Sequence, residues 1–423
     1  MLMLKEQALY VLAQLEENGY EAFFVGGCVR DWLLKRPVHD IDICTNAQPC
    51  DIMRIFPDHI PTGLQHGTVS VKHDGAIFEV TTYRAEAVYS DHRRPDEVRF
   101  VSDLREDLAR RDFTINAMAM DRHGRLSDPF SGQTDLLSGL VRTVGSAQER
   151  FTEDALRLLR AARFAAQLQF DLDGKTEQAL ADCADLLRHI APERVRVELC
   201  KLIGSDYPWH GVAIVNRAEL LRVYPELDQL FKLAAPYIHR LRKLTSLAEK
   251  WALLLYASGA TNEAALSLVA LLRMSNRERD KIALLLHIVT EMRPSWDEPE
   301  SIGWEHALLR YGPETCVEAN NLLQAIWREQ DEATDSHSQS VIDTYERLPV
   351  KSLKELAVTG KDLLTATDKT AGPWIAHTLQ HLLEQVALYH KPNTPEWLLA
   401  EGRKEVERYE HQTGNTERVS GKP

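Results

Sequence analysis

Residues 23–44 read FFVGGCVRDWLLKRPVHDIDIC, and this stretch limits the fold more than any other part of the chain. Glu21–Val25 predicts a strand, Gly26-Gly27 a turn and Cys28–Lys35 a short helix. His39–Cys44 alternates polar and apolar residues and predicts a second strand. Two strands joined through one short helix must pair in a sheet, so this end of the chain is not all-helical.

The mixed pattern runs on to about residue 148. Pro49–Phe56 reads as helix, and Thr68–Lys72 and Ala76–Tyr83 flank Asp74-Gly75, a strong hairpin signal. Phe113, Ile115, Ala117 and Ala119 alternate with more polar residues and predict a strand entering the core. After Phe151 strand patterns give way to Leu- and Ala-rich helical periodicity, punctuated by Pro192, Pro208, Pro225 and Pro236. Residues 293–303 read as a loop, Ser336–Gln339 as a weak break, and the chain beyond Thr413 as a frayed tail. The expected fold class is α+β: a small mixed-sheet head, then an elongated all-helical neck, body and tail. The expected boundaries are 1–148, 149–205, 206–300 and 301–423.

Composition narrows the setting. Among 423 residues the formal charge is −13, which excludes an indiscriminate nucleic-acid coat and leaves room for a local basic groove. Six scattered cysteines form no C-x-x-C pair, which fits a reducing cytoplasm and excludes a disulfide framework or a structural zinc site. The apolar runs are too short to span a bilayer, so no membrane partner is expected, and the N-terminus reads as an amphipathic helix rather than a signal peptide.

Gly26-Gly27 allows close backbone approach and presents amides at the start of a helix, a ready site for a triphosphate. Arg30, one turn on, either pairs with phosphate or closes a surface ion pair. Period-2 alternation puts Asp40 and Asp42 on one strand face. Side-by-side carboxylates repel unless a cation lies between them, and Mg²⁺ is the simplest answer. Glu79 on the hairpin is either a third acid near that cation or part of a solvated strand face.

The G-G-x-V-R-D and D-x-D elements resemble the first motif of the nucleotidyltransferase superfamily. More closely, the chain is similar to the class II tRNA CCA-adding enzymes and the bacterial poly(A) polymerases. The resemblance is strong over residues 20–203 and diffuse beyond. The segment RRDFTINA at 110–117 is similar to the family's second motif. The resemblance implies that Arg111 and Asp112 read the ribose 2′-OH, with Asn116 as a structural or phosphate contact.

Residues 150–168, RFTEDALRLLRAARFAAQL, read as one amphipathic helix capped by Thr152. The spacing lets Glu153 clamp Arg157 at i,i+4 while Asp154 points beside it. An acceptor beside a planar donor fork complements the Watson–Crick edges of C and A, while U and G present the reverse order. The resemblance assigns this E-D-x-x-R motif the choice of CTP and ATP without a template. Arg160 and Arg163, further along, are expected to face the triphosphate; otherwise they are snorkelling surface arginines.

The same resemblance makes residues 86–98 a flexible loop used in switching from C to A, and 193–203 the neck helix. It makes the later helices a cradle for the acceptor and T arm of tRNA. His239–Lys243 is either a phosphate patch or a basic helix face, and Gly360–Asp362 and Gly372–Trp374 are similar to the tail of Gram-positive-type members. The expected activity is Mg²⁺-dependent addition of CCA to tRNA from CTP and ATP, with a homodimer allowed. The alternatives are A-adding or CC-adding enzymes, a poly(A) polymerase, or a catalytically silent tRNA-binding protein.

Overall fold

The computed structural model describes the chain except Met1, Thr62 and residues 88–96, 260–261, 293–302, 328–334 and 420–423. Among the described residues, strands β1 (Ala22–Val25), β2 (Asp42–Thr45), β3 (His59–Ile60), β4 (Thr68–His73) and β5 (Ala76–Thr82) lead into a ribbon. The ribbon is β6 (Arg84–Ala87) paired with β7 (Glu97–Phe100), and β8 (Ala119–Met120) and β9 (Leu126–Ser127) follow it. The main sheet has the order β3-β4-β5-β2-β1-β8-β9. β2 is parallel to β5 and the other neighbours are antiparallel, so the sheet is mixed as the sequence predicts.

Register decides which side chains meet. Val25 lies opposite Asp42, and Asp42 opposite Glu79, so these three share one face. The opposite face carries Phe24, Ile43 and Val80, all buried. It is covered by α1 (Leu2–Glu17), which precedes β1, and by α3 (Pro49–Ile55), with α2 (Gly27–Leu33) between β1 and β2. Leu12, Leu15 and Ile52 on these helices are fully buried. On the other face Asp42 and Glu79 are exposed, while Val25 and Cys44 pack with Tyr83 and Leu108.

Helices α4 (Leu104–Ala109), α5 (Gly132–Ser138), α6 (Ala147–Glu153), α7 (Leu156–Leu168), α8 (Gly174–Cys183) and α9 (Pro192–Ile203) follow. Proline opens α9 and the next two helices, α10 (Pro208–Arg217) and α11 (Pro225–Ala234), where its missing N–H costs nothing. The described chain divides into two compact units, residues 1–242 with 254–279 and residues 243–253 with 280–423. Among the described residues the second unit is built from helices alone, with Leu308, Leu322, Leu323, Leu382, Leu383, Leu398 and Val406 buried.

Several expectations are corrected. The 113–119 segment is not a strand: a 3-10 turn occupies Thr114–Asn116, and only Ala119–Met120 pairs as β8. Every residue from 112 to 119 is buried, so alternation carries no face information there. Thr114 and Asn116 spend their polar groups on Asp135, Arg30 and Asp112.

Thr152 caps nothing; its hydroxyl donates to the Gln148 carbonyl. Ser146 caps α6, accepting from the Glu149 amide, and the predicted single helix breaks at Asp154. One short strand does lie beyond Phe151, Asp171–Leu172, which pairs in parallel with Leu140–Val141. Ser336–Gln339 lies inside a helix, Asp335–Arg347, and the frayed tail is helical as far as Val419. His239–Lys243 forms part of a 3-10 segment, Ala235–Lys243. The ends of the expected 86–98 loop belong to β6 and β7; residues 88–96, like 293–302, lie outside the described residues.

Candidate active site

The site is assembled where β1 turns into α2. Gly26 has φ 77° and ψ −131°, a conformation that suits glycine. A Cβ there would lie 3.1 Å from Arg111 Nη1 and 3.8 Å from Asp42 Oδ2. The turn is therefore flanked by one guanidinium and one carboxylate. Gly27 opens α2, and a Cβ on it would sit 3.7 Å from Arg30 Nη2.

Asp42 begins β2 and is exposed; Asp40, two residues earlier, is exposed too, with Ile41 buried between them. Asp40 precedes the strand rather than lying in it, but the in–out alternation holds. Glu79 is the register partner of Asp42 on β5, so the third acid stands on the same face. Crowding by protein atoms raises the Asp42 carboxyl above its ordinary range, Arg111 opposes this, and Glu79 and Asp40 add to it. An acidic site under that strain fits a cation. Among the described residues no three carboxylate, imidazole or thiol groups converge into a closed metal cage.

Arg30 is buried, unlike the surface pair considered above. Its Nε and Nη2 donate to both oxygens of Asp31, and its Nη1 donates to Asn116 Oδ1 at 2.8 Å. Asn116 Nδ2 in turn donates to Asp112 Oδ1 at 3.1 Å. Asp112 Oδ2 accepts from Arg160 Nε at 2.8 Å. One chain of hydrogen bonds thus joins α2, the Arg-Arg-Asp segment and α7. Burial alone would raise the Asp112 carboxyl; Arg160 and Asn116 outweigh it and hold it well below the ordinary carboxylate range.

The α6–α7 break places the remaining residues. Asp154 has extended backbone, its Oδ1 accepts from the Leu156 amide at 3.1 Å, and its Oδ2 meets Arg194 Nη2 at 3.4 Å. Glu153 clamps Arg157 as the spacing predicts, accepting from Nη1 at 2.7 Å, while its other oxygen pairs with Arg150. Arg157 also donates to the carbonyls of Arg150 and Arg110, both at 3.1 Å. Its guanidinium is buried and fixed by three anchors, while the Asp154 carboxylate is engaged by the Leu156 amide and by Arg194.

Arg163 is neither exposed nor snorkelling. It is 6% exposed, donating to Glu198 Oε2 on α9 at 2.6 Å and to Gln167 at 2.7 Å. Three residues escaped the sequence reading. The Phe164 ring lies under the guanidinium groups of Arg163, Arg30 and Arg160 at 3.9, 5.1 and 5.4 Å. Glu198 is the buried counter-charge of Arg163. Asp107, wholly buried on α4, pairs with Arg110 and Arg111. Its i,i+3 and i,i+4 spacing to the two arginines was the available signal.

A family model described as Poly A polymerase head domain matches residues 22–142, and one for tRNA nucleotidyltransferase domain 2 matches 242–401. A CCA-adding enzyme from Geobacillus sp. (strain WCH70) is 38% identical over 401 residues, covering 93% of this chain and 96% of its own. The CCA-adding enzyme of Bacillus cytotoxicus is 40% identical over 381 residues, with coverages of 89% and 92%. The crystal structure of the Bacillus stearothermophilus CCA-adding enzyme in complex with CTP superposes with a TM-score of 0.83 at 35% identity, over 95% of this chain and 98% of that one. With relatives at this identity over nearly the whole length of both chains, this chain belongs to the CCA-adding tRNA nucleotidyltransferases.

Proposed function

We propose that this chain extends the 3′ end of tRNA with C, C and A, taking CTP and ATP without a nucleic-acid template and releasing pyrophosphate. The observation that carries this reading is the Gly26 turn flanked by Arg111 and Asp42. It brings a glycine backbone, a guanidinium and a carboxylate to one point.

Asp40 and Asp42 hold Mg²⁺, with Glu79 adding negative charge from the neighbouring strand. An open carboxylate pair suits this ion, which keeps room for phosphate oxygens and water. When bound, Mg²⁺ lowers the pKa of the tRNA 3′-OH and neutralises charge on the departing pyrophosphate.

The residues of the chain do the positioning. The Gly26-Gly27 backbone and Arg30 receive the triphosphate, Arg111 neutralises it, and Asp112 accepts the ribose 2′-OH. Asp154 and Arg157 present an acceptor beside a donor fork to the base edge. Glu153 and two backbone carbonyls fix that fork, so the wrong base leaves buried groups unpaired instead of finding new partners. Arg160 and Arg163 line α7 toward the phosphates, held by Asp112 and Glu198.

The boundaries 1–148, 149–205, 206–300 and 301–423 are kept as head, neck, body and tail, with the later helices receiving the acceptor and T arm through phosphate contacts. The cytoplasm is the proposed compartment; six free cysteines, and no helix among the described residues long and apolar enough to cross a membrane, support it.

The test of the chemistry is Asp42→Ala. It is expected to abolish nucleotide incorporation while tRNA binding stays within a few-fold. Incorporation that survives the substitution contradicts the metal assignment.

A further inference from the structure

Arg111 and Asp42 have opposite charges and flank the same glycine, yet the structure does not join them in an ion pair. Arg111 is held elsewhere. Its Nη2 donates to Asp107 Oδ2 at 3.3 Å. The other Asp107 oxygen accepts from Arg110 Nε at 3.0 Å, from Arg110 Nη2 at 2.9 Å and from the Arg84 amide at 3.2 Å.

Asp107 has no exposure to solvent and belongs to neither motif that carries the acids and the base-reading arginine. It fastens three things together. Arg111 reaches the Gly26 turn. Arg110 offers its carbonyl to Arg157. Arg84 opens the β6–β7 ribbon opposite its register partner Phe100, whose ring lies against Gly67.

We propose that Asp107 is a positioning residue that keeps Arg111 off the metal-binding acids. A mobile guanidinium beside two crowded carboxylates moves to them and competes with a divalent cation for the same charge. A buried carboxylate with good geometry prevents this, because Arg111 already has a counter-charge. The fork then stays turned to the phosphate side of the turn and the acids stay available. This inference rests on the assignment of Asp40 and Asp42 as metal ligands.

The experiment measures Mn²⁺ binding to the nucleotide-free full chain by electron paramagnetic resonance, so that turnover is not the readout. Asp107→Asn is expected to weaken Mn²⁺ binding about tenfold, one unit of log K, as Arg111 swings to Asp42. Adding Arg111→Gln to that variant is expected to restore the wild-type affinity. Damage to the fold alone would not be repaired by removing a second charge. Arg111→Gln alone is expected to leave Mn²⁺ affinity within twofold, and it tests the idea without touching the buried carboxylate should Asp107→Asn fail to fold. A several-fold tightening in that single variant means Arg111 already competes, and overturns the proposal. So does unchanged binding in Asp107→Asn, or a double variant as weak as Asp107→Asn. Asp42→Asn serves as the control: if it keeps full Mn²⁺ affinity, the metal assignment falls and this inference with it.

Discussion

Arg157 is held so tightly that its side chain behaves as part of the backbone. Glu153 and the carbonyls of Arg150 and Arg110 take donors from both Nη1 and Nη2, and in the proposed function this leaves a single presentation to a base. Arg157→Ala is expected to erase the preference for CTP and ATP over UTP and GTP, by a factor of about 10² or more for a few kcal/mol of lost discrimination. The measurement is kcat/KM for each of the four nucleotides on tRNA lacking its tail. Strict selection retained in this variant contradicts the base-reading role. Gly26 makes a second case. Alanine there meets both the positive φ and Arg111 Nη1 at 3.1 Å. Gly26→Ala is expected to cost about 1–2 kcal/mol in urea unfolding and to raise the KM for nucleotides.

Helix α7 is the element on which the site depends. Its Arg160 reaches back to Asp112, its Arg163 binds Glu198 on α9, and its Phe164 lies beneath three guanidinium groups. Both partners of the Arg163–Glu198 pair are buried. Removing one strands the other in a dry site, so Glu198→Ala is expected to cost about 3–5 kcal/mol, read as a lowered urea midpoint.

This element also shows how far a sequence can be read. The Glu153–Arg157 clamp was legible because i,i+4 spacing survives a break in the helix. The break itself was not, because it is made by Asp154 turning its carboxylate to cap Leu156 while Ser146 starts the preceding helix. The Asp40–Asp42 alternation was legible because both acids are exposed while Ile41 and Ile43 beside them are buried. The 113–119 segment was not, because its alternation is present in the sequence but every residue there is buried, so the pattern marks no strand face. Asp107 carries the spacing of an ordinary surface pair, and only the fold makes it central. Tertiary partners, absent from any local window, account for the difference.

Across the whole chain the charge of −13 is unevenly spread. Residues 142–165 hold five arginines against three acids, while residues 314–335 hold six acids against Arg328. Three of the arginines of the first stretch, Arg150, Arg157 and Arg160, are assembled on α6 and α7 around Glu153 and Asp112, while Arg163 pairs with Glu198 and Arg142 with Asp135 and Asp173. The surplus of acid opposes a general RNA coat, and in the proposed function the arginine stretch supplies a local site. The same ion pairs set the response of the fold to acid. Asp112 and Asp107 both titrate below their ordinary values in the folded chain, where burial is outweighed by the arginines beside them. Their stabilisation is complete above the ordinary carboxylate range, and is lost as pH falls below about 4 toward the folded-state values. Asp112→Asn is expected to flatten that acid limb in a plot of urea midpoint against pH.

The central claim is that this chain writes C, C, A on tRNA without a template. Purified protein incubated with tRNAs ending before the tail, after one C and after CC, with CTP or ATP singly and together, tests it in one gel. The account predicts two C additions with CTP alone on the first tRNA, one A addition with ATP alone on the CC tRNA, and a complete CCA end with both. A product that stops at CC with both nucleotides present, a single A on the CC tRNA with no C addition anywhere, or a ladder of many A residues would contradict it.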